Sequence, residues 1–257
     1  MSKKKFAQPL IVAVETSGRR GSAALASGSQ LLGQADFSAP MRHGAELFGA
    51  IENLLLRFDK EASAIEQVHL SIGPGSFTGL RIAATFARTL HLANAAKVVT
   101  VGTSDVIVAN IVEATAAVRP DYARLATILD AKRGQFFVAA YEQAEGTISN
   151  VENTTPLKGY EKILADCLMT AEQFVEQFAD SGPAIGLLGE GLVYYADKFR
   201  ATALEIIDEQ YWWPRASNVH RLGWSKAQRG EFADPLELQP VYLREPQLGI
   251  SRIRRNG

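Results

Sequence analysis

Cysteine is nearly absent: Cys167 is the only one in 257 residues. A single thiol allows no intrachain disulfide and no thiolate zinc cage, which suits a reducing compartment. Histidine is scarce as well. His43, His69, His91 and His220 are the only four, and no two stand three or four apart. The helical His-Glu-x-x-His pair of metal hydrolases is therefore excluded. Net charge is missing too. With 27 basic and 28 acidic residues the balance is −1, so there is no long-range pull toward nucleic acid or anionic lipid. Any RNA contact has to come from a local patch or through a partner. No apolar run has the length of a transmembrane helix. After Lys3-Lys4-Lys5, the run Leu10 to Val14 is too short for a signal peptide and meets Glu15. The expectation is a soluble, cytoplasmic protein that does not engage a membrane. The lysines and the Arg252 to Arg255 tail read as solvated ends.

Apolar residues make up 47% of the chain, enough for one large domain or two modest ones. Leu10 to Glu15 is a short β-branched run that reads as a buried central strand. Ser22 to Ala26 and Leu31 to Phe37 follow as strands, with a Gly28-Ser29 turn between them. Leu47, Phe48, Ile51, Leu54, Leu55 and Phe58 then recur at helical spacing over Arg42 to Phe58. Val68 to Ile72 is a strand, Leu80 to Ala96 a helix, Val98 to Val101 a strand and Ser104 to Ala117 a helix. A meander followed by alternating elements predicts a mixed sheet with helices on its faces. Arg119-Pro120-Asp121 marks a boundary between lobes spanning 1–118 and 119–257. Beyond it strands recur at Leu125 to Asp130, Phe136 to Tyr141 and Ile185 to Leu188. Thr170-Ala171-Glu172-Gln173 has the form of a capping box. His220 to Gln228 reads as a helix and Leu236 to Leu243 as extended. The loose likeness of the two halves suggests a duplicated lobe.

Two places could carry chemistry. Gly73-Pro74-Gly75-Ser76-Phe77-Thr78-Gly79 joins a strand to a helix, where glycines and a helix N-terminus favour an anion. It lacks the Gly-Lys-Ser/Thr of a P-loop and the spacing of a dinucleotide fingerprint. A tight turn packed against a neighbour explains it equally well. Glu15 with Thr16-Ser17-Gly18 ends the first strand and could hold a magnesium nucleotide, or simply cap a turn. Asp130 reads as a turn residue. Small residues at Ala83, Ala84, Ala87 and Ala93 alternate with Ile82, Phe86, Leu90 and Leu92. With the stripe Leu47, Phe48, Ile51 and Leu55, they suggest a helical docking surface.

The run Gly73 to Arg81 resembles the signature of the TsaB (YeaZ) family, accessory subunits for making threonylcarbamoyladenosine beside the tRNA anticodon. Further segments are similar in the same order: Leu10 to Ser17, His43 with its helix, Val101-Gly102-Thr103-Ser104, Asp130 to Phe137, and Pro240-Val241-Tyr242-Leu243-Arg244. The resemblance spans residues 10 to 244. It implies an α/β, two-lobed actin-like ATPase fold, a duplicate of RNase-H-like units with mixed sheets flanked by helices. The last helix is expected to pack back on the first lobe. It implies no catalytic residue and no metal ligand in this chain, the chemistry sitting in a TsaD-type partner. The heterodimer surface would include His43, Leu47, Phe48, Ile51, Leu55, Ala83, Ala84, Ala87 and Leu90, and homodimers would use the same helices. ATP or ADP with magnesium would bind where subunits meet, with Glu15, Thr16, Gly75 and Ser76 as candidate contacts. A TsaE-type ATPase completes the system, and tRNA is engaged indirectly. The alternatives are a small-molecule kinase or ATPase of the same fold, using Glu15 and Asp130, and a glycoprotease.

Overall fold

The run Leu10–Glu15 forms β1, buried along its whole length. In the computed structural model, residues 8–40, 42–113, 122–144, 159–179, 182–241 and 243 are described. The expected boundary at Arg119-Pro120-Asp121, both basic tails, and Tyr242 and Arg244 of the last similar block lie outside them. β1 pairs antiparallel with β2 (Ser22–Ser27), which pairs antiparallel with β3 (Gln30–Asp36). On its other side β1 runs parallel to β4 (Ile65–Ser71), and β4 to β5 (Lys97–Val101). The sheet order is β3-β2-β1-β4-β5. A second sheet repeats this plan. β6 (Arg124–Asp130), β7 (Gln135–Gln143) and β8 (Tyr160–Thr170) form an antiparallel meander. β9 (Ile185–Leu188) and β10 (Leu204–Ile206) continue it in parallel, giving the order β10-β9-β6-β7-β8. Residue for residue in this plan, Asp130 ends the counterpart of the strand that Glu15 ends.

The helices complete the duplication. α1 (His43–Arg57) and α2 (Phe77–Asn94) cover one face of the first sheet. Leu10, Val12 and Val14 point toward that layer, in one core with Leu47, Ile51, Leu55, Ala83 and Ala87. Ala13 and Ala24 face the opposite way, as strand alternation requires. Their small side chains admit α6 (Ala216–Gln228), the last described helix, which packs on β1, β2, β4 and β5. α3 (Thr103–Glu113) leaves the first sheet and joins the core of the second. Asn218 Nδ2 donates to Asn110 Oδ1 at 2.8 Å, and Asn110 Nδ2 donates to the carbonyls of Tyr211 and Trp213 at 2.9 Å each. This amide pair joins α3 to α6 and satisfies polar groups that burial would otherwise penalise. α4 (Ala171–Phe178) opens with the expected capping box, Thr170 and Gln173 bonding each other's backbone. A short helix α5 (Leu192–Tyr195) follows β9.

Three expectations need correction. α2 begins at Phe77 rather than Leu80, because Ser76 caps it by accepting from Gly79 N–H at 3.3 Å. β8 and β10 were not apparent as strands. Leu236 to Leu243 is not a strand: a turn spans 235–237 and an irregular strap follows. Arg88 fixes this strap over α2, donating to Pro235 O at 3.1 Å and Leu238 O at 2.5 Å. Val241 N–H donates to Ile72 O at 2.9 Å, bringing the strap to the glycine-rich loop. Among the described residues no helix is long and apolar enough to cross a membrane.

Candidate functional site

Four strand-end turns meet between the lobes. The first follows β1. Glu15 is fully buried, and its Oε1 accepts from Ser17 N–H at 2.6 Å and Ser17 Oγ at 2.5 Å. Its Oε2 accepts from the hydroxyl of Ser71, the last residue of β4. Burial pushes the Glu15 carboxyl above its usual range, while the Ser17 and Ser71 hydrogen bonds pull it down and Glu190 pushes it further up. Thr16 Oγ1 donates to Gly79 O at 2.8 Å, and Ser76 N–H donates to Ser17 O at 2.7 Å. The glycine-rich loop is thus pressed directly on the β1 turn. A Cβ at Gly75 would overlap Ser17 O, and one at Gly79 would overlap Thr16 O. The glycines permit close approach of two backbones, so the packed-turn explanation holds for them.

His43 opens α1 beneath this turn. Its Nε2 lies 2.9 Å from Gly18 O, so the hydrogen resides there, and its buried Nδ1 has no partner. Burial lowers its pKa, against the Gly18 hydrogen bond and Glu46. The ring is a wedge that orients the turn. Asp130, the counterpart of Glu15, accepts from Lys132 N–H at 2.7 Å and pairs with Lys132 Nζ at 2.5 Å; it is a turn residue. Arg19 and Arg20 reach across to the second lobe. Arg19 N–H donates to Glu190 Oε2 at 2.9 Å, and its guanidinium lies 5.2 Å from the Tyr194 ring centre. Arg20 stacks 4.1 Å over Trp213 and lies 3.6 Å from Glu209. Sequence reasoning missed Ser71 and did not connect Glu190 with Arg19. A hydroxyl closing an apolar strand beside a glycine-rich loop is a signal for Ser71. Glu190 sits within the Gly189-Glu190-Gly191 turn, but its contact with Arg19 is purely tertiary.

Glu15, Thr16, Gly75 and Ser76 therefore do come together, yet they are bonded to one another. Both Glu15 oxygens are engaged by serines, and the Ser76 hydroxyl caps its own helix. Within this chain these groups hold the two turns together. Among the described residues, no three His, Cys, Asp or Glu side chains gather as a metal site.

Most of the expected docking residues lie inside the chain's own core. His43, Leu47, Ile51, Leu55, Ala83, Ala84 and Ala87 are buried inside their own lobe. The amphipathic stripe faces the sheet because that sheet is the nearest apolar surface. Of the nine, only Phe48 is exposed, at 61%, and Leu90 is partly covered. The outward side of the helix pair carries Gly44, Ala45, Gly49 and Leu56 on α1 and Phe77 and Leu92 on α2, among exposed polar residues such as Glu52, Asn53, Arg57, Arg81 and Thr85. Leu56 and Leu92 are 72% and 76% exposed. Phe48 meets Phe86 edge-on at 5.7 Å, so its ring is braced from beneath. A methyl at Gly49 would touch nothing. Small residues beside a braced aromatic ring give a helical partner room to approach.

Comparison with known proteins adds three findings. Residues 38–184 match the family model described as TsaD, tRNA N6-adenosine threonylcarbamoyltransferase. The tRNA threonylcarbamoyladenosine biosynthesis protein TsaB of Bacillus subtilis (strain 168) is 26% identical over 141 residues, 55% of this chain. That match spans only 58% of the relative's length. Two solved structures share the fold. One is an uncharacterized Pseudomonas aeruginosa protein with similarity to the peptidase YEAZ: 21% identity, TM-score 0.72, covering 92% of this chain and all of that one. The other, YeaZ from Pseudomonas aeruginosa, also has 21% identity, with TM-score 0.71 and coverage of 91% and 100%.

Proposed function

Since the chain belongs to the TsaD-type tRNA N6-adenosine threonylcarbamoyltransferase family, and within it to the TsaB (YeaZ) family, we propose that it serves tRNA threonylcarbamoyladenosine synthesis as a non-catalytic partner subunit. It binds and activates a TsaD-type catalytic subunit in the cytoplasm. The observation that carries this reading is the outward face of α1 and α2, where Phe48, Leu56 and Leu92 stand exposed. A patch of this kind is costly to leave in water and is a natural docking site. The internal saturation of Glu15, Thr16 and Ser76 supports the non-catalytic part. A carboxylate that accepts three hydrogen bonds from its own chain is poorly placed to bind substrate or metal.

Self-association through the same face follows from the same chemistry, and it competes with the partner. A TsaE-type ATPase joins the assembly through the catalytic subunit, which also carries the contact with tRNA. Nucleotide with magnesium belongs to the assembled complex, at the interface between the subunits.

The test is sedimentation of this chain alone, the TsaD-type subunit alone, and their mixture. The reading requires a stable one-to-one species and loss of that species on Phe48→Glu. Two components sedimenting independently at tens of micromolar would overturn it.

A further inference from the structure

On the side of the first sheet opposite α1 and α2, a cavity of about 530 Å³ opens between the β2–β3 hairpin, α3, the segment before α6, and α6 itself. That is the volume of a small-molecule site. Three hydrogen bonds pin the hairpin to α6 and so fix its walls. Ala216 N–H donates to Ser22 Oγ and Ser217 N–H to Gln34 Oε1, each at 2.9 Å. His220 Nε2 donates to Gly28 O at 2.8 Å. Asn110 and Asn218 also line the cavity, and their amides are spent on each other and on main-chain carbonyls. The Gly28-Ser29 turn lies at the opposite end of β1 from Glu15, since Leu10 pairs with Ser27 and Glu15 with Ser22. Among the described residues, none from the turns that follow β1, β4, β6 and β9 lines this cavity.

Two arginines and one carboxylate supply its charge. Glu113 pairs with Arg221 Nη1, and Arg221 Nη2 donates to Ala109 O at 3.4 Å. Arg221 Nε is buried and has no partner, which leaves the cost of a missing hydrogen bond unrelieved. Burial also lowers the Arg221 pKa to about 10, as for a cation short of stabilising neighbours. Arg215 donates through Nη2 to Gln210 O at 3.0 Å, and the acid that lines the cavity, Glu113, is already engaged by Arg221. Burial lowers the His220 pKa and keeps that ring neutral. One positive charge is therefore left over, beside the apolar surface of Leu31 and Trp224.

We infer that this cavity binds a small monocarboxylate with a flat apolar body. Arg221 offers the carboxylate its unused Nε hydrogen, and Arg215 supplies the balancing charge. Guanidinium groups suit carboxylates in charge and in the direction of their N–H bonds. The body of the ligand covers Leu31 and the Trp224 indole, whose flat ring favours another flat ring. The site belongs to this chain alone, and a ligand in it leaves the outward face of α1 and α2 free.

The experiment is titration of the unaltered chain with benzoate, followed by the Trp224 indole N–H in ¹H–¹⁵N correlation spectra. The signal is identified by its loss in Trp224→Phe. Benzamide and benzylamine serve as neutral and cationic molecules of similar shape. Benzoate should shift the signal saturably with a Kd on the order of millimolar, as its few heavy atoms allow. Benzamide should bind at least about fivefold more weakly, and benzylamine should leave the signal in place. Arg215→Met and Arg221→Met should each weaken benzoate by at least about fivefold without changing benzamide. Urea midpoints confirm that each variant is folded. If Arg221→Met does not fold, Arg215→Met decides, because Arg215 is exposed. The inference is overturned if benzoate gives no saturable shift up to about 20 mM. Equal binding of benzamide, or unchanged benzoate affinity in a folded arginine variant, would overturn it as well.

Discussion

Glutamate placed at Ala84 and glutamate placed at Phe48 should have opposite effects, although both positions lie on the helix pair. Ala84 is 3% exposed and packs in the core of the first lobe. A carboxylate there has no partner, and an unpaired buried charge costs on the order of 4 kcal/mol or more. That is a large share of the roughly 5–15 kcal/mol that holds a domain together. Phe48 is mostly in solvent, and its removal forfeits one edge-on ring contact worth about 1 kcal/mol. Urea unfolding should therefore show the midpoint of Ala84→Glu lowered by a large fraction, while Phe48→Glu keeps a midpoint near that of the unaltered chain. Sedimentation with a TsaD-type subunit should show the reverse sensitivity. Phe48→Glu stays folded but loses the complex, because its charge is desolvated against an apolar partner surface. If Ala84→Glu were as stable as the parent, the inward assignment of α2 would be wrong. If Phe48→Glu bound unchanged, the outward face would not be the docking site.

Gly79→Ala should destabilise by about 3 kcal/mol, since its methyl overlaps Thr16 O and pushes the glycine-rich loop off the β1 turn. Gly49→Ala, in open space on α1, should instead stabilise by up to about 1 kcal/mol; urea midpoints compare the two. His69 is held between Gln67 and α6, and burial, with the neighbouring His220, lowers its pKa from 6.5 to about 3. The unfolded chain then binds more protons in that window, so stability is lost as pH falls from 6.5 toward 3. His69→Asn should flatten that part of the profile of urea midpoint against pH. Lys162 Nζ lies 2.9 Å from Asp105 and 2.7 Å from Asp166, with both partners shielded. Lys162→Met should cost roughly 3–5 kcal/mol by leaving these carboxylates unpaired, and adding Asp105→Asn should recover part of it in the same assay.

The sequence made the first sheet legible because its strands are short apolar runs separated by glycine turns, and β1 is buried on both faces. The α4 boundary was equally plain, since Thr170 and Gln173 make a local device that depends on nothing distant. β8 was hidden for the opposite reason. Its Lys162 and Asp166 break the apolar alternation, and they do so because they turn inward to Asp105 and to the hydroxyl of Ser104. β10 has only three residues, too few to show a period. Periodicity found the stripe of Leu47, Ile51 and Leu55 but not its direction. An apolar stripe is what a lobe needs for its own core, so the proposed docking face is sought among the glycines, alanine and leucines that interrupt the pattern. At the cleft, Glu15, Thr16, Gly75 and Ser76 were found as a group, whereas the mutual bonding that closes them is visible only in three dimensions.

The most direct test of the account is reconstitution of tRNA threonylcarbamoylation from the TsaD-type subunit and the remaining components, with and without this chain. The account predicts that modification requires the chain, that the chain alone modifies nothing, and that Phe48→Glu behaves like its omission. Equal modification in its absence would contradict the role as an activating partner.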